Sequence, residues 1–322
     1  MKPCAQVRKD ASRLSPHNES TTSRGHTMNT KRLSMLTVAV LGTLYGASPA
    51  FALPILGSDL ASFAVLGASG VTNIPTSTVV GNVGAWSSGG ANAITGFNFT
   101  PGAAVSDPQV TGGLVHAGTS VAQLAQGQLT NAITSLGLLG PGTILANFDL
   151  AGLTLAPGIY TVHAGTSNLT GALTLDGGGN ANAAWVFQMD STLITSPGSV
   201  VNVINTGFGS GVYWNVRTSA TLDTTTSFQG NILADQSITL NTGATVGCGR
   251  ILASVALVTM HTNTVGIGCG SNGYSGGLTV AVGGGLPTLL PVVPVPLPAA
   301  LPLLAAGLAG LTGLGLRRRK QG

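Results

Sequence analysis

Charged side chains are scarce in this 322-residue chain, where Asp, Glu, Lys and Arg together make up 7% against about a quarter in an average soluble domain. The few cations sit at the ends. Seven of the thirteen Lys and Arg residues precede Leu53, four form the run Arg317, Arg318, Arg319 and Lys320, and only Arg217 and Arg250 lie between. Against those two stand Asp59, Asp107, Asp149, Asp176, Asp190, Asp223 and Asp235, so residues 53–294 carry a formal charge of −5 although the whole chain carries +4. A mildly acidic body without clustered Lys or Arg excludes nucleic acid as a partner, because phosphate contacts need a concentrated cationic face.

Catalytic patterns are missing too. His116, His163 and His261 are scattered, neither GxSxG nor HExxH occurs, and the Asp residues stand alone, which excludes the familiar nucleophile and zinc-protease constellations. The clustered carboxylates of a glycan-cleaving groove are absent. Gly177-Gly178-Gly179-Asn180 lacks the Lys and Ser/Thr that complete a phosphate loop and reads as a turn. Trp86, Trp185 and Trp214 invite a sugar-stacking reading, but Trp185 and Trp214 fall in strand patterns, where an aromatic packs. No enzyme is expected, and no cofactor or metal.

Cysteine is rare: Cys4, Cys248 and Cys269. Cys248 and Cys269 each sit in a Gly-flanked turn, and outside the cell such a pair reads as a disulfide, with two free thiols as the alternative. Zinc would want four ligands, and no CxxC or His pair accompanies them.

The chain is instead rich in small and apolar residues, with 48 Gly and 43% hydrophobic. Residues 28–52 read as an export signal: Lys31 and Arg32, an apolar stretch, then Ala50-Phe51-Ala52 with cleavage after Ala52. Residues 1–27 are polar without periodicity and read as an over-extended, disordered start. At the other end, residues 299–316 form an apolar run long enough to span a bilayer, followed at once by the Arg317–Lys320 cations that would keep that end cytoplasmic. Just before it stand Val295, Pro296, Leu297, Pro298 and Ala299. The pentapeptide, apolar run and basic tail of residues 295–322 resemble the PEP-CTERM class of sorting signals in its VPLPA variant. That resemblance implies a Gram-negative bacterium, an exosortase as processing partner, and a tail at least transiently inserted in the membrane. Residues 271–294, rich in Gly, Ser, Val and Pro, read as a linker.

Residues 53–270 remain as the folded unit, and they repeat. Thr221-Leu222-Asp223-Thr224 returns as Thr239-Leu240-Asn241-Thr242 and again as Thr259-Met260-His261-Thr262, and Asn231-Ile232-Leu233-Ala234 returns as Arg250-Ile251-Leu252-Ala253. A period of roughly 19 positions built from strands indicates an all-β solenoid whose coils bury Leu222, Leu240, Met260, Ile232 and Ile251 in a shared core. One helix is expected over about 118–137, where Val121, Leu124, Ala125, Leu129, Ala132, Ile133 and Leu136 recur at intervals of three and four.

Several further segments carry a family resemblance: Phe63-Ala64-Val65-Leu66-Gly67, Val71-Thr72-Asn73, Val80-Gly81-Asn82-Val83-Gly84, Thr95-Gly96-Phe97, Pro101-Gly102, residues 153–160, 173–176 and 185–188, and the repeat block 219–265. Nearly all of residues 56–265 resembles, in order, the ice-binding proteins of the DUF3494 type. What this implies is a right-handed, discontinuous, three-faced β-solenoid with the helix along one face and ice on another, secreted or displayed at the surface and monomeric. Some members insert a capping subdomain after the first coils, and the stretch from Gly84 to Phe99 is too short for a full one. Some members carry a Thr-Ala/Gly-x-Thr/Asn motif on the ice face. Thr242-Gly243-Ala244-Thr245 fits it, Thr224-Thr225-Thr226-Ser227 fits loosely, and Thr262-Asn263-Thr264 is one residue short.

Threonine suits such a face, since its hydroxyl donates and accepts, its methyl restricts neighbouring water, and its branched side chain is stiff at χ1. Strand alternation turns Thr221, Thr239 and Thr259 outward opposite Leu222, Leu240 and Met260. The expected ice contacts are therefore Thr221, Thr239, Thr259, Thr242 and Thr245, then Thr224 and Ser227, with Asp223 and His261 interrupting the neutral surface. The alternative is an adhesive component of the extracellular matrix, with polysaccharide as its partner, because Thr is favoured in any exposed strand.

Overall fold

The computed structural model of the chain describes residues 53–90, 92–269, 273–280 and 286–291. The export signal with Ala52, the Val295–Ala299 motif and the apolar run 299–316 lie outside the described residues. Among the described residues no helix is long and apolar enough to cross a membrane.

The fold is mostly β with one helix. Short strands punctuated by Gly and Asp turns cannot bury a hydrophobic face alone, so most pair in parallel with their counterparts in the neighbouring coil. Three ladders result. The longest runs through Gly158–Val162, Ala184–Met189, Gly211–Val216, Ser227–Ala234, Thr245–Ala253, Phe63–Gly67, Asn82–Ala85 and Val115–Ala117. A second takes Ala172–Asn180, Val200–Thr206, the first residues of Ser227–Ala234 and Thr245–Ala253, then Thr264–Gly266, Thr78–Val80 and Val110–Thr111. The third joins six short strands: Leu193–Ile194, Ala220–Leu222, Ile238–Leu240, Leu257–His261, Gly70–Ile74 and Ala93–Thr95.

Stacking does not follow chain order. The coil containing Thr245–Ala253 and Leu257–His261 is followed in space by the N-terminal coil of Phe63–Gly67 and Gly70–Ile74. Inside the coils lies one continuous core. It includes Leu222, Leu240, Met260, Ile232 and Ile251, each fully buried, and an aromatic stack in which Phe187 and Trp214 lie 4.0 Å apart at 10°. Trp185 and Trp214 are buried in this core, and their Nε1 groups donate to the carbonyls of Leu155 and Gln229 at 3.0 Å.

The helix, Ser120–Gly137, covers the longest ladder. Thr119 caps it by accepting a hydrogen bond at Oγ1 from the Ala122 amide at 3.2 Å. Its buried face is Ala122, Ala125, Gln126, Leu129, Ala132 and Leu136, packed on Leu66, Val186, Tyr213, Leu233 and Leu252. This differs from the sequence expectation at two positions. Leu124 is 57% exposed, whereas Gln126 is buried and its Nε2 donates to the carbonyls of Ala253 and Ser254 at 3.1 and 2.8 Å. An amide tied to a strand end occupies a place that hydrophobic spacing assigns to a neighbour.

The ends of the described body are fastened to each other. Leu53–Pro54 pairs antiparallel with Leu278–Val280, which pairs in turn with Pro287–Leu289. The latter two strands lie within residues 271–294, so that part of the expected linker packs on the body: Leu278 is buried against the helix-side cluster. Arg250 links both segments to the coils. It is 2% exposed, and its guanidinium donates to Asn231 Oδ1 at 2.8 Å, Gly273 O at 3.2 Å and Ala61 O at 2.6 Å. Cys248 and Cys269 are joined by a disulfide with Cα atoms 5.6 Å apart.

Candidate functional site

On the third ladder the register sets Thr221 beside Thr239, Thr239 beside Thr259, Thr259 beside Thr72 and Thr72 beside Thr95. Five threonines thus form one column across five adjacent strands, with Ile194 next to Thr221 at one end. At the usual interstrand spacing of about 4.8 Å, the column spans roughly 19 Å. Their strand neighbours Ala220, Leu222, Ile238, Leu240, Val258, Met260, Val71 and Ile94 are buried, so alternation holds the hydroxyls outward. No pair of strands on this ladder shifts register, whereas both other ladders contain bulges, at Phe228/Gln229, Phe63/Val65 and Asp176/Asn180. A bulge tilts the side chains beyond it. This ladder keeps its column straight.

The flanks of the column are mixed. On one side the hydroxyls of Ser219 and Ser237 lie 3.0 Å apart and Leu257 is 41% exposed. On the other side stand Asp223, Asn241, His261 and Ile74, the last 49% exposed. Asn241 donates from Nδ2 to Asp223 Oδ1 at 2.9 Å, and the Thr224 amide donates to the same atom at 2.7 Å. The Asn241 bond first, and the amide second, hold the Asp223 carboxyl below its ordinary value. The Asp223 carboxylate is thus held in place at the border of the column.

The remaining expected residues fall elsewhere. After the column the Thr221, Thr239 and Thr259 coils turn a corner at a left-handed residue: Thr225 (φ 57°), Gly243 (φ 73°) and Thr262 (φ 51°). The Thr225 amide donates to Thr242 O at 3.1 Å and the Gly243 amide to His261 O at 3.3 Å, which aligns Thr224, Thr242 and His261 and sets Thr262 beside Gly243. Thr262 thus does not continue the Thr224–Thr242 line, because its coil is one residue shorter at the corner. Ser227 and Thr245 lie past the corner on the second ladder, in register with each other and with Thr264 and Thr78. So Thr221, Thr239 and Thr259 come together, Thr224 and Thr242 border them, and Ser227 and Thr245 belong to a different ladder. Sequence periodicity misses Thr72 and Thr95, which arrive from the N-terminal coils.

The two larger clefts open outside the threonine column, one beside Pro54, Ile55 and Gln128, the other beside Ile204, Phe208 and the disulfide. Among the described residues no three His, Cys, Asp or Glu side chains converge on a metal-sized point. His116 is buried with Nδ1 3.2 Å from Thr119 Oγ1, and desolvation lowers its pKa. His163 pairs with Asp190 at 2.8 Å on the surface. What the surface offers chemically is an extended, rigid array of weak donors and acceptors, suited to a flat partner rather than to a small molecule.

A family model described as Ice-binding-like matches residues 65–266. An ice-binding protein of Nostoc sp. (strain HG1) is 38% identical over 242 residues, covering 75% of this chain and 84% of the relative. An ice-binding protein of Flammulina populicola is 32% identical over 250 residues, covering 74% of this chain and 99% of the relative. Among solved structures, the ice-binding protein of the Antarctic ascomycete Antarctomyces psychrotrophicus superposes with a TM-score of 0.57 at 32% identity, covering 66% of this chain and 97% of that one. An ice-binding protein from Arctic yeast, solved for the basis of its antifreeze activity, gives 0.58 at 28% identity, covering 65% and 91%. The matched residues take in the whole Thr72–Thr95–Thr221–Thr239–Thr259 column, and the chain belongs to the ice-binding-like family.

Proposed function

We propose that this protein adsorbs to ice and restrains its growth and recrystallisation, with the third ladder as the contact surface. The observation that carries this reading is the unbroken column of five threonines on strands that keep one register. Each hydroxyl holds water weakly. Affinity comes from many aligned contacts on a face whose stiff side chains lose little freedom on binding. Thr242 and Thr224 extend the surface at its border. The relatives are named for ice binding rather than for an enzymatic activity.

The three ladders support a right-handed, three-faced solenoid, with the helix on one face and ice on another. The protein acts outside the cell: the signal at residues 28–52, cut after Ala52, exports it, and the Val295-Pro296-Leu297-Pro298-Ala299 tail delivers it to the surface through an exosortase. It acts as a monomer, and extracellular polysaccharide is its partner only under the matrix-adhesion alternative.

The test is ice recrystallisation inhibition and thermal hysteresis of the purified protein beside Thr239→Tyr, which raises a ring at the centre of the column. Activity is expected in the parent and lost in the variant. Equal activity in both would remove this ladder as the contact surface, and a silent parent would leave matrix adhesion as the function.

A further inference from the structure

We propose that the apolar groove beside the Cys248–Cys269 disulfide is the seat of the chain's own residues 292–298, which lie along it as an added edge strand. This docking is independent of ice binding. The groove opens where two strands of the second ladder part. Val200–Thr206 pairs with Ala172–Asn180 over most of its length, but on its other side only Val200 meets a strand partner, Ser227. Beyond that point lies a cleft of about 860 Å³, with Val203, Ile204 and Phe208 lining one part and Gln229, Gly247 and the disulfide another. A strand edge facing such a gap has no ladder partner, and folded proteins cover edges of this kind. Apolar side chains are uncovered there as well: Ile204 is 42% exposed and Phe208 79%. The turn that carries Phe208 is pinned by close packing, since a Cβ on Gly207 would fall 2.8 Å from Ala181 Cα and one on Gly209 2.2 Å from Asn182 Oδ1. Gln229 supplies a polar signal in the same groove. Its Oε1 is buried and accepts no hydrogen bond among the described residues, and a buried acceptor in that state calls for a donor.

The chain delivers donors to this place. The Leu290 amide donates to Gly277 O at 2.9 Å, and Pro291 O accepts from Asn182 Nδ2 at 3.4 Å. Pro291 therefore stands at the rim of the groove, which Ala181 lines. The residues that follow, outside the described ones, are Val292-Val293-Pro294-Val295-Pro296-Leu297-Pro298. In extended backbone successive N–H groups point to opposite sides, so Val293, Val295 and Leu297 offer theirs to one side while the three prolines occupy the other, where no donor is needed. This alternation suits a last strand, which bonds to the body by one edge and ends the sheet with the other. From Thr206 back to Val203 is about 10 Å of strand, so a segment running antiparallel from Pro291 reaches Ile204 by about Val295. The segment carries no charge, and laying Val and Pro over Ile204 and Phe208 removes apolar surface from water.

The experiment uses the full chain in lipid nanodiscs. Ile204→Cys with Val295→Cys is oxidised and its cross-linked peptides are identified by mass spectrometry. The control is Phe148→Cys with Val295→Cys, because Phe148 is 44% exposed but does not line the groove. A link between positions 204 and 295 is expected in most of the protein, with little from the control pair. In the chain with its natural cysteines, Ile204→Lys puts a charge in the groove, and the Val293 and Val295 amides should then exchange about tenfold faster while those of Ile232 and Ile251 in the core stay unchanged. Phe208→Lys repeats this measurement should the core amides change. If the added cysteines disturb the Cys248–Cys269 bond, the exchange result decides alone. Equal linking by the two pairs, or exchange unaffected by the lysine, would overturn the proposal. So would a link found only between isotopically light and heavy copies, which would give the groove to a second chain.

Discussion

Replacing Arg250 by Met removes a buried guanidinium while keeping an unbranched side chain. At least three acceptors then lose a donor: Asn231 Oδ1, Gly273 O and Ala61 O. Each buried acceptor left unpaired costs about 1–3 kcal/mol, for a gross loss of about 3–9 kcal/mol. Part of this is offset, because the charge itself sits there against desolvation, which pushes the Arg250 pKa down to about 10 with Tyr213 acting weakly the other way. The net destabilisation expected is about 2–4 kcal/mol, since replacing a buried charge by an apolar group recovers some of its desolvation penalty. For a body of this size that lowers Tm by roughly 5–15 °C. Urea unfolding of parent and variant gives the first number, and limited proteolysis gives the location. Because the lost bonds reach Gly273, cleavage near residues 273–280 should accelerate before global unfolding. A variant within about 0.5 kcal/mol of the parent, in the range of an ordinary surface substitution, would refute the view that Arg250 links the terminal segments to the coils.

Two further outcomes follow from local geometry. Gly96 has φ 79° and an added Cβ would stand 1.8 Å from Asn73 O, so Gly96→Ala should cost about 2 kcal/mol or more, displace Thr95 from the column and reduce ice recrystallisation inhibition; full activity would place Thr95 outside the site. The carboxyls of Asp223 and Asp176 are held low, the first by Asn241 and the Thr224 amide, the second by the Gly178 amide and Asn205. Their stabilisation is therefore complete above the unfolded carboxyl range near pH 4 and is lost as pH falls through the lower folded values. Both groups are solvent-exposed, so Tm measured against pH should be flat above about 5 and decline gently on acidification. A Tm that rises below pH 4 would contradict the sign.

Strand positions were legible in the sequence wherever consecutive coils are consecutive in the chain. Thr221, Thr239 and Thr259 repeat at a spacing a reader can count, and alternation with Leu222, Leu240 and Met260 gives their direction. Thr72 joins the same column from the opposite end of the body's sequence, because the N-terminal coils stack on the last ones, and no local period records such a join. The corner was illegible for another reason. Thr262 occupies a left-handed position that the sequence aligns with Thr242, and one missing residue shifts the whole line. Gln126 shows a third limit: hydrophobic spacing cannot anticipate an amide buried because strand ends offer it two carbonyls.

The antiparallel pairing of Leu53–Pro54 with Leu278–Val280 has a consequence for how the molecule is held. Both ends of the described body leave it from one place, on the helix-covered side, where Leu278 packs. Strain applied through either end would therefore enter at the helix-covered side through a small antiparallel sheet of its own, separate from the six-stranded sheet that carries the threonines.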